Sequence, residues 1–222
     1  MTTTALASRI EEDSAQGLYA HLNRAGRYIH TTRDSAFFAL LRRNGIDALG
    51  GLDIVEIGCG TGSLIRTLVH YGANPSLVEA IDMSSARAMA TRQHHQRVAQ
   101  ADAAALPYTD ASFDLVLAFT SFSAMLEDKT RFSAASESMR VLRPGGIAVL
   151  YDFRVNPTNR DVRPVREEQI REWFSGHRLE MERVTLAPPI VRALWGIPAL
   201  CRPLERIPWL RTHLLAAIAK EG

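Results

Sequence analysis

The chain has 222 residues, with 26 lysine and arginine residues against 24 aspartate and glutamate residues. This length is enough for one domain with a sizeable core, and 46% hydrophobic residues is typical of a soluble globular protein. A net charge of +2 comes without the strong basic cluster that is typical of nucleic-acid binding. We therefore expect no nucleic-acid partner.

The cysteine content and the first residues favour a cytoplasmic protein. Cys59 and Cys201 are the two cysteines, so no disulfide framework is expected. The N-terminus lacks a basic region followed by an apolar run, and no stretch approaches the roughly 20 apolar residues that cross a bilayer. We expect a monomer or a homodimer.

The first 50 residues are predicted to be helical. Apolar residues recur at helical spacing over 6–45, and Gly26 and Gly45 interrupt the pattern. Thr32 would cap a second helix. These residues would pack against the sheet or form a lid over the ligand; both interpretations remain open.

From Leu52 onward, strand patterns alternate with helix patterns. Strands are predicted over 52–57, 76–82, 97–101, 113–119 and 146–153. Helices are predicted over 63–71, 84–94 and 128–142, and Arg143-Pro144-Gly145-Gly146 is read as a helix stop. Such a succession predicts an α/β fold with a doubly wound, mainly parallel seven-stranded sheet and helices on both faces.

The C-terminal part, residues 154–222, has a different pattern. A polar loop over 154–164 precedes a helix at 165–175, and strands are predicted over 178–187 and 213–219. We expect these two strands to form an antiparallel edge of the sheet. One domain would then span 1–222, with a lid over 1–50, a ligand-binding core over 51–153 and a substrate-side region over 154–222.

Residues 188–210 combine prolines with apolar and basic side chains, and two interpretations stay open. The segment would be a lid or dimer contact packed on the sheet. Alternatively, it would be an amphipathic element at a membrane surface, and the substrate would be a lipid or a lipid-linked glycan. The side chains at that surface would be Arg192, Arg202, Arg206, Arg211, Trp195 and Trp209.

Glycines and acidic residues follow the predicted strands at their carboxyl ends, where ligands bind in open parallel sheets. Gly58, Gly60 and Gly62 follow the first strand and Asp82 ends the second, at the spacing of a carboxylate that meets ribose hydroxyls. Asp102 follows the third strand. Glycines allow a sharp turn and a close approach of a ligand to the backbone.

Five segments in this order resemble the S-adenosylmethionine-dependent methyltransferases with a Rossmann-like fold. The glycine motif is Val55-Glu56-Ile57-Gly58-Cys59-Gly60-Thr61-Gly62. The other segments are Ala80-Ile81-Asp82-Met83-Ser84, Ala101 to Tyr108, Asp110 to Asp114 and Val141 to Gly146. The resemblance implies that S-adenosylmethionine is the cofactor and that the enzyme transfers its methyl group.

The resemblance also implies roles for the residues of the first two motifs. Gly58 and Gly60 would let the backbone lie against the methionine and ribose portions of the cofactor. Glu56 would orient the loop or meet the ammonium group. Asp82 would hold the ribose hydroxyls, and Met83 would cover one face of the adenine.

The remaining implied contacts come from later strands. Asp102 would accept a hydrogen bond from the adenine amino group, and the amide of Ala103 would donate to the ring. Phe119 would lie near the cofactor.

The acceptor is expected to be a small organic molecule, with O-methylation slightly favoured over N- or C-methylation. A base is needed only if the nucleophile must lose a proton, and Tyr28, His30 and Asp152 are the candidates. No metal is expected, because Asp152 alone sits suitably for a metal site of the catechol type.

Two other enzyme classes are disfavoured. A nicotinamide dehydrogenase would have glycine or alanine where Ser63 stands, and Glu56 would crowd a pyrophosphate. A phosphate-binding NTPase loop is excluded because no Gly-Lys-Ser/Thr occurs.

Overall fold

The computed structural model describes residues 23–156 and 161–221. Its helices and strands are, in chain order, α1 (Arg24–Arg43), β1 (Ile54–Ile57), α2 (Ser63–His70), β2 (Val78–Asp82), α3 (Ser85–Arg92), β3 (Val98–Gln100), β4 (Phe113–Phe119), α4 (Asp128–Val141), β5 (Leu142–Phe153), α5 (Glu167–Trp173), β6 (Arg178–Leu186), α6 (Pro188–Ala193), α7 (Pro198–Glu205) and β7 (Arg211–Ala219). Short 3-10 turns at Pro75–Leu77 and Pro208–Leu210 precede β2 and β7.

The strands form one seven-stranded sheet in the order β3-β2-β1-β4-β5-β7-β6. The pairs β1–β2, β1–β4, β2–β3 and β4–β5 are parallel. The start of β5 pairs with the chain at the end of β7. The Gly145 amide donates to the Lys220 carbonyl at 2.8 Å, and the Lys220 amide donates to the Gly146 carbonyl at 3.0 Å. This pairing is antiparallel. The predicted fold class, including the antiparallel edge, is confirmed.

Strand order reverses beside β1, which places the ligand crevice at the carboxyl ends of β1 and β4. All four residues of β1 are buried, including Glu56. Strands that are buried on both faces need a continuous apolar sequence, so a buried acid in β1 is a departure that calls for a polar role.

The prediction of two helical parts around Gly26 and Thr32 is wrong for the described residues, because α1 runs unbroken from Arg24 to Arg43. Gly26 lies inside the helix and is buried. Thr32 is not a cap; its hydroxyl donates to the carbonyl of Tyr28 at 3.0 Å. A buried apolar face outweighs the low helix propensity of one glycine. The part of this prediction that falls on residues 6–22 lies outside the described residues.

The helix predicted over 128–142 ends at Val141, close to the expected position, but residues 143–146 do not form a turn after it, because the chain passes directly into β5 at Leu142. Phe113 pairs with Leu142 while Leu115 pairs with Ile147, so residues 143–146 form a bulge in the strand. Gly145 adopts a φ of +80° there. Glycine thus serves a bulge here and not a helix terminus.

The chain divides into two compact units. Of the described residues, the first unit combines 23–43 with Glu182–His213, and the second combines 44–156 with 161–181 and 214–221. The single domain expected over 1–222 stays a prediction, as do its lid and substrate-side regions. The expected core 51–153 lies wholly within the second unit.

The first unit is built on α1. Ala25, Tyr28 and Ile29 of this helix form a buried apolar cluster with Val191 and Cys201. Leu194, Leu204 and Leu210 are partly buried against the same cluster. Residues 188–210 therefore fold as short helices whose apolar inner side packs on α1. This segment is the one that the sequence predicts to be either a lid or dimer contact, or a membrane-surface element. Within the described residues, no helix is both long and apolar enough to cross a membrane.

A tight turn joins α6 to α7 and packs against the first residues of α1. Trp195 and Gly196 both have positive φ, at 54° and 62°. A methyl group on Gly196 would meet the carbonyl oxygen of Arg24 at 2.5 Å and the amide nitrogen of Ala25 at 2.7 Å. Both contacts are with backbone atoms, which cannot move aside as a flexible side chain can, so only glycine fits at this position.

We predict that Gly196→Ala destabilises the protein by several kcal/mol, because it adds a backbone clash to the penalty of about 1–2 kcal/mol for a left-handed residue. Gly45→Ala is the matched control, since Gly45 also has a positive φ but nothing lies within 4 Å of the added methyl. Urea unfolding of both variants measures the difference. Equal losses in the two variants would contradict the clash.

Candidate active site

The glycine turn after β1 is held to the end of β2 by backbone hydrogen bonds. The amides of Gly58 and Cys59 both donate to the carbonyl of Ile81, at 2.8 and 2.9 Å. Gly58, Gly60 and Gly62 have φ values of 76°, 56° and 75°. Left-handed backbone is inexpensive only for glycine, which is why the motif carries three of them.

The three glycines differ in what surrounds them. A methyl group on Gly58 would meet the Ser121 side chain at 2.7 Å, and one on Gly62 would meet the ring of His94 at 2.5 Å. A methyl group on Gly60 would have nothing within 4 Å. Gly58 and Gly62 are thus required for packing, whereas Gly60 borders open space that a ligand can enter.

Asp82 fixes the middle of this turn. Its Oδ2 accepts a hydrogen bond from the Gly60 amide at 3.0 Å, and its Oδ1 accepts one from the Ser84 amide at 2.8 Å. The guanidinium of Arg87 adds an ion pair to Oδ1 at 3.0 Å. The side chain of Asp82 is 3% exposed. A carboxylate buried to this extent requires such partners, because burying an unpaired charge is costly.

Residues of α2 and α3 make contacts around the glycine turn that the sequence did not predict. The hydroxyl of Thr91 donates to the carbonyl of Gly60 at 2.9 Å, and Arg87 pairs with Asp82 as described. Arg66 of α2 contacts His94 Nε2 at 2.7 Å and donates to the carbonyl of Thr61 at 2.9 Å. No local motif marks these residues, because their partners are distant in sequence. The nearest signal is Ser84, a helix N-cap residue three positions before Arg87, which indicates where α3 begins.

Two side chains inside the motif are buried. Glu56 is 3% exposed and Cys59 is 4% exposed. Burial, followed by the charges of Glu56 and Asp82, raises the pKa of the Cys59 thiol to about 12. Cys59 is therefore a protonated, unreactive thiol, which does not suit a nucleophile.

The residues predicted to surround the adenine lie at the ends of β2 and β3. Met83 is 63% exposed. Asp102 is exposed and its Oδ1 accepts a hydrogen bond from the Ala104 amide at 2.9 Å, while Ala103 is buried. The Ala101 amide donates to the carbonyl of Asp82 at 3.2 Å, so the Asp102 segment is joined directly to the Asp82 turn.

The end of β4 faces the glycine turn through Ser121. Phe119 is 7% exposed, and its ring lies 5.3 Å from that of Tyr151, centroid to centroid. Thr120 has a φ of 53°, a left-handed conformation that is costly for a β-branched residue. Its amide donates to the carbonyl of Tyr151 at 2.6 Å. Strained residues of this kind cluster at functional sites, which supports a role for this turn.

This arrangement matches known proteins. Residues 55–150 match the family described as "Methyltransferase domain". The chain is 30% identical over 186 residues to 2-methyl-6-phytyl-1,4-hydroquinone methyltransferase of Synechocystis sp., covering 76% of this chain and 58% of that protein. It is 34% identical over 131 residues to 27-O-demethylrifamycin SV methyltransferase of Amycolatopsis mediterranei, covering 55% of this chain and 46% of that protein.

A solved structure agrees with the fold. An S-adenosylmethionine-dependent methyltransferase from Mesorhizobium loti superimposes with a TM-score of 0.59 at 20% identity, covering 82% of this chain and 97% of that one. The chain carries a class I, Rossmann-like methyltransferase domain. It spans about half the length of the two relatives named above.

The residues present fit the cofactor of this methyltransferase family, S-adenosylmethionine. Gly60 leaves open space next to the carboxylate of Asp82, and an acid there suits hydroxyl donors better than a phosphate. A carboxylate has about four acceptor sites, and Asp82 uses three of them for Gly60, Ser84 and Arg87. A ribose hydroxyl would take the remaining site or replace Arg87.

The three candidate bases predicted from the sequence belong to different units. Tyr28 and His30 lie on α1 of the first unit, where Tyr28 is buried and His30 is half-buried. Burial, and then the Glu205 carboxylate, raises the pKa of Tyr28 above its usual value, so the phenol keeps its proton at neutral pH. Tyr28 is therefore unsuited to accept a proton.

Asp152 is the penultimate residue of β5, in the second unit, and is 1% exposed. Its oxygens accept hydrogen bonds from the amides of Ser123 at 3.0 Å and Phe153 at 2.8 Å. Burial raises the pKa of Asp152 to about 6, although these donors act against the rise. Within the described residues, no group of three or more His, Cys, Asp or Glu side chains could hold a metal ion.

We predict that Asp152→Asn gains stability relative to the wild type as pH rises. The raised pKa means that the folded state binds the proton more tightly than the unfolded chain does. The stability that this proton contributes is therefore full below about pH 4 and is lost as pH rises through about 6. Asparagine does not ionise in this range, so the variant escapes the loss.

Urea unfolding of the wild type and Asp152→Asn at about pH 4, 5 and 7 measures this trend. Asp47→Asn, at an exposed position, is the matched control and should follow the wild type at every pH. A constant difference between Asp152→Asn and the wild type would show that the buried carboxyl does not change its proton affinity on folding.

Proposed function

We propose that the protein transfers the methyl group of S-adenosylmethionine to a small organic acceptor. One observation carries this proposal: the open position at Gly60 lies beside a buried carboxylate, Asp82, that is bonded to the Gly60 amide itself. This geometry suits a ligand that lies against the open backbone at Gly60 and donates hydrogen bonds from hydroxyl groups to Asp82. Methyltransferase relatives and the family match support the reaction type.

The nucleoside portion of the cofactor would be held by residues after β2 and β3. Asp82 would accept hydrogen bonds from the ribose hydroxyls, and Met83 would cover one face of the adenine. Asp102 would accept from the adenine amino group while the Ala103 amide donates to the ring. The hydrogen bond from the Ala101 amide to the Asp82 carbonyl supports this grouping, because it joins the chain before Asp102 to the end of β2.

The methionine portion would lie against Gly58 and Gly60, with Glu56 orienting the loop or meeting the ammonium group. Phe119 would lie near the bound cofactor. The sulfonium of S-adenosylmethionine supplies an already activated methyl group. The protein then has mainly to align the acceptor, and orientation alone can contribute about 7–11 kcal/mol.

The names of the relatives guide the choice of acceptor. One is a hydroquinone methyltransferase and the other acts in forming rifamycin SV from its 27-O-demethyl form. We infer an acceptor of this small organic class, with transfer to oxygen favoured over nitrogen or carbon and without a metal. If the nucleophile must lose a proton, His30 and Asp152 are better suited than Tyr28 to accept it.

A second candidate keeps the reaction but changes the acceptor to a lipid or a lipid-linked glycan at a membrane surface. The observation that favours it is the exposure of Trp195 and Trp209, each 74% exposed. The phytyl group in the name of the Synechocystis relative agrees with an acceptor that carries a hydrocarbon chain.

We predict that Asp82→Asn weakens binding of S-adenosylhomocysteine by tenfold or more. A hydrogen bond to a charged group contributes about 1.5–3 kcal/mol, and the substitution replaces a charged acceptor of ribose and loop bonds with a neutral one. Isothermal titration calorimetry measures the affinity, and a methyl-transfer assay with small phenols and hydroquinones as acceptors follows activity.

Arg87→Gln is the control, because it breaks the same Asp82–Arg87 ion pair and leaves the carboxylate in place. We expect this variant to bind S-adenosylhomocysteine within about threefold of the wild type. Similar weakening in the two variants would assign Asp82 a purely structural role. Absence of binding to the wild-type chain would overturn the proposed cofactor.

A further inference from the structure

The large apolar side chains that are exposed in the described part of the first unit all lie between residues 195 and 209. Trp195 and Trp209 are each 74% exposed, Leu200 is 49% exposed and Ile197 is 38% exposed. An isolated exposed leucine is ordinary, but two tryptophans exposed to this degree within one short segment mark an interaction site.

The packing of the segment places these side chains on its outer side. Val191 and Cys201 are fully buried, and Leu194, Leu204 and Leu210 pack against the same cluster on α1. The apolar residues of 188–210 thus divide into an inner set that holds the unit together and an outer set in solvent. Core packing does not account for the outer set.

The charge of the outer side is positive. Residues 188–211 contain four arginines, Arg192, Arg202, Arg206 and Arg211, against one acid, Glu205. Arg202 and Arg206 are exposed, whereas Glu205 is half-buried. The guanidinium of Arg211 donates to the backbone carbonyls of Glu205 at 2.6 Å and Arg183 at 2.9 Å. Arg211 therefore joins two segments of the backbone and is left out of the surface proposed below.

The backbone holds Trp195 in a strained conformation. Its φ of 54° is unfavourable for a bulky residue, and an exposed indole recovers little of that cost by packing. The next residue, Gly196, is pressed onto the backbone of Arg24 and Ala25, so the turn is rigid. Trp195 is thus exposed on a turn of fixed backbone conformation.

We propose that Trp195, Ile197, Leu200, Arg202, Arg206 and Trp209, here called the Trp-Arg face, bind the surface of an anionic phospholipid bilayer. Indole rings favour the headgroup region, aliphatic side chains enter its acyl boundary, and arginines pair with lipid phosphates. All three kinds of group occur here on one short segment. Binding of this kind lies in the plane of the interface and needs no membrane-spanning helix.

Charge disfavours a second copy of the chain as the partner. In a two-fold symmetric contact the same face meets itself, so Arg202 and Arg206 would approach arginines of the other copy. Like charges brought together across an interface are strongly unfavourable. A surface of lipid phosphates has the complementary charge.

Co-sedimentation of the full chain with vesicles tests the proposal. The wild type should bind vesicles of phosphatidylcholine with about a third phosphatidylglycerol, and bind phosphatidylcholine alone at least tenfold more weakly. Trp195→Ala with Trp209→Ala should reduce binding to the anionic vesicles by tenfold or more. Phe132→Ala, which removes a 52%-exposed aromatic of the second unit, is the matched control and should bind like the wild type.

A second pair of variants isolates the charge. Arg202→Gln with Arg206→Gln should weaken binding by about fivefold for each arginine. Arg42→Gln with Arg171→Gln removes the same charge from exposed positions elsewhere and should leave binding close to the wild type. Added salt should weaken binding of the wild type and have less effect on the variant that lacks Arg202 and Arg206.

The assay does not involve methyl transfer, so its result is independent of the proposed function. The proposal is overturned if the wild type stays in the supernatant with anionic vesicles, or if the double tryptophan variant binds as the wild type does. It is also overturned if light scattering shows a dimer that the tryptophan variant alone converts to a monomer, since the face would then join two copies.

Discussion

The carboxylate of Asp82 connects the parts on which the candidate site depends. It bonds to the glycine turn after β1 through Gly60, to the start of α3 through Ser84 and to the side of that helix through Arg87. These elements come from separate stretches of the chain, and a single buried charge makes their relative positions costly to change. The open space beside Gly60 therefore lies on a turn that this carboxylate holds in place.

Much of this arrangement could be predicted from the sequence. The position of Asp82 at the end of β2 follows from the strand pattern of 76–82 and its distance from the glycines. The seven strands and their mainly parallel order follow from the alternation of strand and helix patterns. Both features depend on local periodicity and on spacing, which a sequence displays directly.

Other features could not be predicted, because they depend on tertiary partners. Thr91 reaches the glycine turn and Arg87 reaches Asp82 only because of where α3 packs, and no spacing marks them. Gly26 reads as an interruption, but burial of its helix face outweighs its low propensity. The bulge at 143–146 contains the same glycines that would end a helix, and only strand pairing distinguishes the two.

The two cysteines have a practical consequence that follows from where they lie. Cys59 is in the glycine turn of the second unit and Cys201 in the core of the first, and both are free and buried. Burial raises the pKa of each thiol above its usual value, so neither reacts readily while its surroundings stay closed. The rate at which a thiol reagent labels each cysteine therefore reports local opening of one unit at a time, with no engineered probe.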